Sequence, residues 1–237
     1  MGIRALAKYP MAEQFLGMVD YYRCPHYRDS WGGAFNGQAF RQQIFLELIN
    51  AINISAIVET GSFRGTTTEY LHKRSQLPVY TVEIHPRNYG YVKIRFLFSK
   101  GIFPVKNDSR SFLRQLLANT TLKEKTIFFY LDAHWDEDLP LTDECQIIFE
   151  NCHQAVVMVD DFKVPGDEGY GFDDYGHGRE LSLKLLAPLI EKLGLAAFFP
   201  SKGSDFESGS KRGCVVLAKS CQIICALRSM RTLAQSA

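Results

Sequence analysis

Short apolar runs in this chain end on acids. Glu59 follows the run 56–58, Glu83 follows 79–82, and Asp108 follows 102–105. Asp132 follows 126–131, and Asp160 and Asp161 follow 155–159. A sheet built only for stability has no need of an acid at nearly every strand tip. Carboxylates gathered at one edge can accept hydrogens from a ligand's hydroxyl or amino groups, hold a cation, or move a proton. His134 stands two residues after Asp132. Its unperturbed pKa lies near neutrality, so it is the candidate to take a proton.

Glu59-Thr60-Gly61-Ser62-Phe63-Arg64-Gly65 follows the first run and leads into a helical pattern. Gly61 permits a tight turn and Gly65 a close approach by a ligand. The start of the helix offers unpaired amides. The dinucleotide pattern GxGxxG needs a second glycine where Phe63 stands, because a pyrophosphate lies against the backbone there. A ligand without phosphate does not require it, and a plain strand-to-helix turn is the alternative. Glu83, about 20 residues on, can accept from both hydroxyls of a nucleoside ribose; a solvated strand-end acid is the rival. Asp108-Ser109 can meet an adenine amino group or cap the next helix.

Several elements must position these groups. Phe40, Ile44, Phe45, Leu48, Ile49 and Ile52 recur at helical spacing ahead of the first run. Helical patterns at 66–74, 89–98, 111–117, 140–149 and 181–193 then alternate with the apolar runs. Continuous apolar strands between helices predict a mostly parallel sheet covered on both faces. The right-handed crossover rule makes it doubly wound. Pro104 predicts an edge or irregular place for the third strand. The last runs, 195–199 and 214–218, are joined by a polar loop too short for a crossover helix, so this pair is antiparallel. The stretch to about Trp31 shows no clear period, and the tail from Ser220 reads as an extra helix or a frayed end.

Glu59-x-Gly61, Glu83, Asp108 and the antiparallel last pair, in this order, resemble the class I S-adenosylmethionine-dependent methyltransferases over roughly residues 36–219. The resemblance implies a Rossmann-like α/β fold with a doubly wound, mostly parallel seven-stranded sheet and an antiparallel last strand. It implies S-adenosylmethionine (SAM) as cofactor, with Gly61 bordering its methionine part, Glu83 on ribose and Asp108 beside adenine. Glu59, Ser62, Gly65, Ser109 and Asp132 complete the expected cofactor site. The tips of strands four and five further resemble metal-dependent small-molecule O-methyltransferases. That likeness implies Asp132, Asp160 and Asp161 as ligands of magnesium or another hard cation. Asp132 and His134 are the expected catalytic pair. In that family the base is often a lysine. Adjacent strand residues point to opposite faces. Asp160 and Asp161 therefore converge on one ion only if the chain leaves the sheet between them. Otherwise one caps a helix or pairs with Arg179.

The segment 165–178, with glycines, acids and aromatics, is expected to fold over a sugar or phenol as a lid, or to be an acidic surface loop. Gln38 and Arg41 could reach the cofactor carboxylate or the acceptor. The competing roles are helix capping by Asn36 and exposure of Arg41.

The chain has 237 residues, of which 46% are hydrophobic and 22% charged, enough for one α/β domain with a full core. The expected organisation is an N-terminal extension 1–35, a cofactor-binding domain 36–219 and a tail 220–237. A formal net charge of +1 supplies no electrostatic footprint for nucleic acid or an anionic membrane. No apolar run reaches the roughly 18 residues that span a bilayer, and residues 1–8 lack the features of a secretory signal. Six cysteines without CxxC or zinc spacing read as free thiols in a reducing cytoplasm. The expected partner is a small-molecule acceptor. The aromatic N-terminal segment and basic tail could make a homodimer contact. A nicotinamide-dependent oxidoreductase and a non-catalytic SAM-fold binding protein are the alternatives, the first disfavoured by Phe63 where the second glycine should stand.

Overall fold

The computed structural model describes residues 10–119, 122, 124–134 and 138–236; the opening segment 1–8 and Trp135 lie outside the described residues. Eight strands form one sheet in the order β3-β2-β1-β4-β5-β7-β6-β8. They are β1 Ala56–Thr60, β2 Val79–Glu83, β3 Ile102–Lys106, β4 Ile127–Leu131, β5 Ala155–Val159, β6 Ala196–Pro200, β7 Val215–Ala218 and β8 Leu233–Gln235. The first five pair in parallel. β7 runs antiparallel to both β5 and β6.

The helices are α1 Pro10–Arg23, α2 Ala39–Ala51, α3 Thr66–Ser75, α4 Pro86–Arg95, α5 Ser109–Leu117, α6 Leu141–Asn151, α7 Leu183–Leu193 and α8 Cys221–Ser229. Two apolar cores sandwich the sheet. Ile127, Phe129 and Leu131 of β4 pack with residues of α5, α6 and α7. Phe128 and Tyr130 point the other way, into residues of α2, α3, α4 and α8. Strand alternation thus explains why β4 and β5 are apolar at every position: both faces are interior. Each such Phe contributes roughly 2–3 kcal/mol relative to exposure. Among the described residues no helix is long and apolar enough to cross a membrane.

The elements expected from periodicity are present, with ends shifted by a few residues. β3 is the sheet edge, where Pro104 needs no ladder partner for its missing N–H. Two features depart from the reading. First, the segment without a clear period contains α1, which lies across α4. A Cβ on Gly17 would sit 1.8 Å from the Arg87 carbonyl oxygen, and one on Gly90 would sit 1.9 Å from that of Gln14. The two backbones approach through paired glycines, so α1 is held without an apolar stripe. Second, beyond the extra helix read for it, which is α8, the tail supplies an eighth strand. β8 pairs antiparallel with β6 and covers an edge that would otherwise present unpaired backbone groups.

Candidate functional site at the carboxyl ends of the strands

Strand order reverses between β1 and β4, and a doubly wound sheet leaves a crevice above that point. Here the crevice is a cavity of about 1170 Å³, walled by the tips of β1, β2 and β4, by the turn after β5, and by Trp31 and Asn36 from the segment before α2.

Gly61 opens the turn after β1 with φ +84. A side chain there would put its Cβ 2.1 Å from the Asp132 carbonyl oxygen. Only glycine lets the β1 turn pass the end of β4. The Gly61 and Ser62 amides both donate to the Val82 carbonyl, at 3.0 and 3.1 Å. The Ser62 hydroxyl is buried on the cavity wall and has no hydrogen-bond partner among the described residues. Gly65 does a different job from the one expected. A Cβ there would strike the Phe96 ring at 2.6 Å, so it secures packing against α4 and lies off the cavity wall.

Glu83 lines the cavity and accepts from the Phe63 and His85 amides, each at 2.8 Å. Burial pushes its carboxyl up to about 7, even though both amides favour the charged form. Glu59 also reaches the wall, but its Oε2 accepts from the hydroxyls of Thr68 and of Thr81, the latter at 2.6 Å. It shapes the β1 turn through those threonines. Burial raises Glu59 to about 7 as well. Asp108 takes the capping role considered for it and also lines the cavity. It faces the cavity and caps α5 by accepting from the Ser111 amide at 3.0 Å. Partial burial raises its carboxyl, but hydrogen bonds from Arg110 and Ser111 outweigh that and hold it low. Ser109 lies buried beside it on the same wall.

Glu59 gives a stability prediction. Its folded pKa stands above the unfolded value, so its stabilisation is complete below about pH 4.5 and gone above about pH 7. The ligand-free protein is expected to lose stability between pH 5 and pH 8. Glu59→Gln should reduce that loss by on the order of 3 kcal/mol, read from urea unfolding at both pH values. An unchanged pH slope in the variant would refute this.

At the other end of the cavity Asp132, His134 and Asp161 converge, with one donor atom from each within 4.8 Å of the others. His134 Nε2 lies 4.0 Å from Asp132 Oδ1 and 3.7 Å from Asp161 Oδ2. The Asp132 side chain is 33% exposed, whereas that of His134 is 2% exposed. Desolvation, then the charges of Asp161 and Glu59, raise Asp132 despite the opposing pull of His134. Burial alone would raise Asp161, but the nearby charge of His134 and the hydrogen bond from Arg212 hold it low. Burial lowers His134 and the surrounding carboxylates reverse this, so the imidazole is raised overall.

The chain does leave the sheet between the two acids after β5, since Asp161 takes a left-handed φ of +52. The turn separates them. Asp161 faces the cavity, with Oδ1 accepting from Arg212 Nε at 2.6 Å. Asp160 is fully buried, paired with the Arg41 guanidinium and accepting from the Tyr130 hydroxyl. Its expected role as a metal ligand is corrected here: both oxygens are committed elsewhere, and His134 takes its place in the cluster. Arg41 and Gln38 are likewise interior. Gln38 Nε2 donates to the Arg212 carbonyl at 2.7 Å. The first amides of α2 are met by Glu207 and Ser208 rather than by Asn36.

Arg212 and Asp173 were missed from the sequence. Arg212 bridges Asp161 and Asp173. The Tyr175 hydroxyl lies 3.0 Å from both Asp173 Oδ2 and the His134 carbonyl oxygen. A usable signal existed. Antiparallel pairing sets Val215 beside Val159, which carries the residues just before β7 to the tip of β5. The loop 165–178 is stitched down by Tyr170 to the Lys202 carbonyl and by Gly171 to Lys211 and Gly213. Of that loop only Asp173 lines the cavity.

No family model and no curated protein matches this sequence. Solved structures do match its shape. An O-methyltransferase from Bacillus cereus in complex with SAH superposes with a TM-score of 0.54 at 13% identity, over 77% of this chain and 81% of that one. An SAH-bound methyltransferase from Podospora anserina gives 0.53 at 10% identity, over 76% and 78%. A Staphylococcus aureus protein assigned as a caffeoyl-CoA O-methyltransferase gives 0.54 at 16% identity, over 76% and 83%. The chain shares the α/β fold of these structures. The α/β architecture and mixed sheet expected from the strand tips are therefore as read, with β8 added.

Proposed function

We propose that this protein is a SAM-dependent methyltransferase acting on a hydroxyl of a small acceptor. One observation carries the reading: a single cavity joins a nucleoside-type wall to a proton-handling cluster. The wall is the Gly61 turn, the unpartnered Ser62 hydroxyl and Glu83; the cluster is Asp132, His134 and Asp161. SAM, when bound, supplies a methyl group on a sulfonium, which accepts an oxygen nucleophile as the carbon–sulfur bond breaks. Glu83 would receive the ribose hydroxyls, Asp108 the adenine amino group, and the Gly61 turn the methionine part. The likeness to SAH-bound structures supports this placement.

The acceptor hydroxyl would lose its proton at the far cluster, which lies in the same cavity. The donor set fits a divalent cation in part. Asp132 and Asp161 converge and would hold it; Asp160 does not. A bound cation would lower the hydroxyl's pKa by stabilising the alkoxide. Arg212 and Tyr175 keep Asp161, Asp173 and the His134 backbone in register for that step.

Calorimetry and thermal shift with S-adenosylhomocysteine (SAH), SAM and NAD test the reading. SAH and SAM are expected to bind and to raise the melting temperature, by an amount that grows with the logarithm of ligand concentration. Stabilisation by NAD alone would overturn it.

A further inference from the structure

We propose that His134 is itself a ligand of the cation, so that the site is a mixed nitrogen–oxygen centre suited to a transition ion rather than to magnesium. This rests on the cation reading above and deepens it. The acid expected to complete an all-oxygen set, Asp160, is sealed against Arg41 and Tyr130. The atom found in its stead is an imidazole nitrogen. His134 Nε2 is buried, has no hydrogen-bond partner among the described residues, and faces both Asp132 and Asp161. A buried nitrogen without a hydrogen-bond partner is costly, and a cation that displaces its proton would satisfy it together with the two carboxylates.

Spacing and charge agree. Donor atoms sharing an ion through bonds of about 2.1 Å stand roughly 3–4 Å apart, and the separations from Nε2 are 3.7 and 4.0 Å. Arg212 occupies only Oδ1 of Asp161, leaving Oδ2 toward His134. With the protons of Asp132 and His134 displaced by the ion, Asp132, Asp161 and Asp173 set against Arg212 leave two negative charges, which a divalent ion neutralises. Imidazole suits zinc, iron, copper or nickel, manganese accepts it beside carboxylates, and magnesium prefers oxygen and keeps its waters. The assignment also changes the role of His134. A nitrogen bound to the ion has no lone pair for the acceptor's proton, so His134 is not the general base.

The test is manganese binding to the full chain, followed by pulsed electron paramagnetic resonance for nitrogen coupling. Wild type is expected to bind Mn2+ and to show ¹⁴N modulation from one imidazole. His134→Asn should abolish that modulation and weaken Mn2+ binding at least about tenfold. His134→Asp should keep the metal and narrow the preference for Mn2+ over Mg2+. Circular dichroism melts check that both variants fold. If a variant does not fold, the wild-type spectrum still decides. A manganese-loaded wild type without nitrogen coupling overturns the proposal, as does Mn2+ affinity unchanged in His134→Asn. A wild type that binds SAH but no Mn2+ overturns it while leaving the methyltransferase reading in place. A nitrogen-coupled Mn2+ site in a protein that ignores SAH upholds the proposal and defeats that reading instead.

Discussion

Glu83→Gln is expected to weaken SAH binding by about 10- to 100-fold, the worth of hydrogen bonds to a charged group. The buried Glu83 carboxylate is built into the wall by two backbone amides. It can therefore meet a ribose without reorganising. Its pH dependence makes the prediction specific. Burial holds the free carboxyl at about 7, and hydroxyl donors favour the ionised form. Wild-type affinity should rise by roughly tenfold between pH 6 and pH 8, with protons released on binding. In Glu83→Gln the affinity should be flat over that range. Calorimetry in buffers of different ionisation enthalpy reads both effects. A variant that binds SAH as tightly as wild type would remove Glu83, and with it the nucleoside assignment.

Asp160→Ala is expected to cost about 3–5 kcal/mol of stability, because it leaves the Arg41 guanidinium buried without its counter-charge. The two side chains are 0% and 1% exposed, so no water can substitute. For a chain of this size that loss lowers the melting temperature by roughly 6–20 °C. Arg41→Met with Asp160→Asn should recover part of it, since no unpaired charge is left buried and the amide oxygen can still accept from the Tyr130 hydroxyl or the Asp161 amide. Urea unfolding of the single and double variants measures this. Asp160→Ala within 1 kcal/mol of wild type would show that the pair is not structural. The result bears on function too. Asp160 Oδ1 accepts from the Asp161 amide at 2.8 Å, so the buried pair also aims the acid that faces the cavity.

Much of this was legible from local chemistry. The all-apolar runs of β4 and β5 marked the centre of a sheet buried on both faces. The acids at the tips marked the edge of the sheet where the cavity lies, and the short polar loop before β7 marked the change of direction. Gly61 announced a turn that no other residue could make. Other features left no such trace. α1 docks through Gly17 and Gly90, and backbone approach through paired glycines has no apolar period to detect. Gly65 looks like a ligand-binding glycine in the sequence, yet it serves Phe96.

The division between the two levels is sharpest at Asp160 and Asp161. By itself the sequence determined that two acids follow β5, that a histidine follows the acid after β4, and that all lie at one edge of the sheet. Periodicity and turn chemistry act over a few residues, and that is enough for such statements. Only the tertiary structure decided which acid turns inward to Arg41 and which meets His134 and Arg212. Those partners lie more than a hundred, twenty-seven and fifty-one positions away, and a side chain's charge state and reach depend on what the whole fold brings within a few ångströms of it.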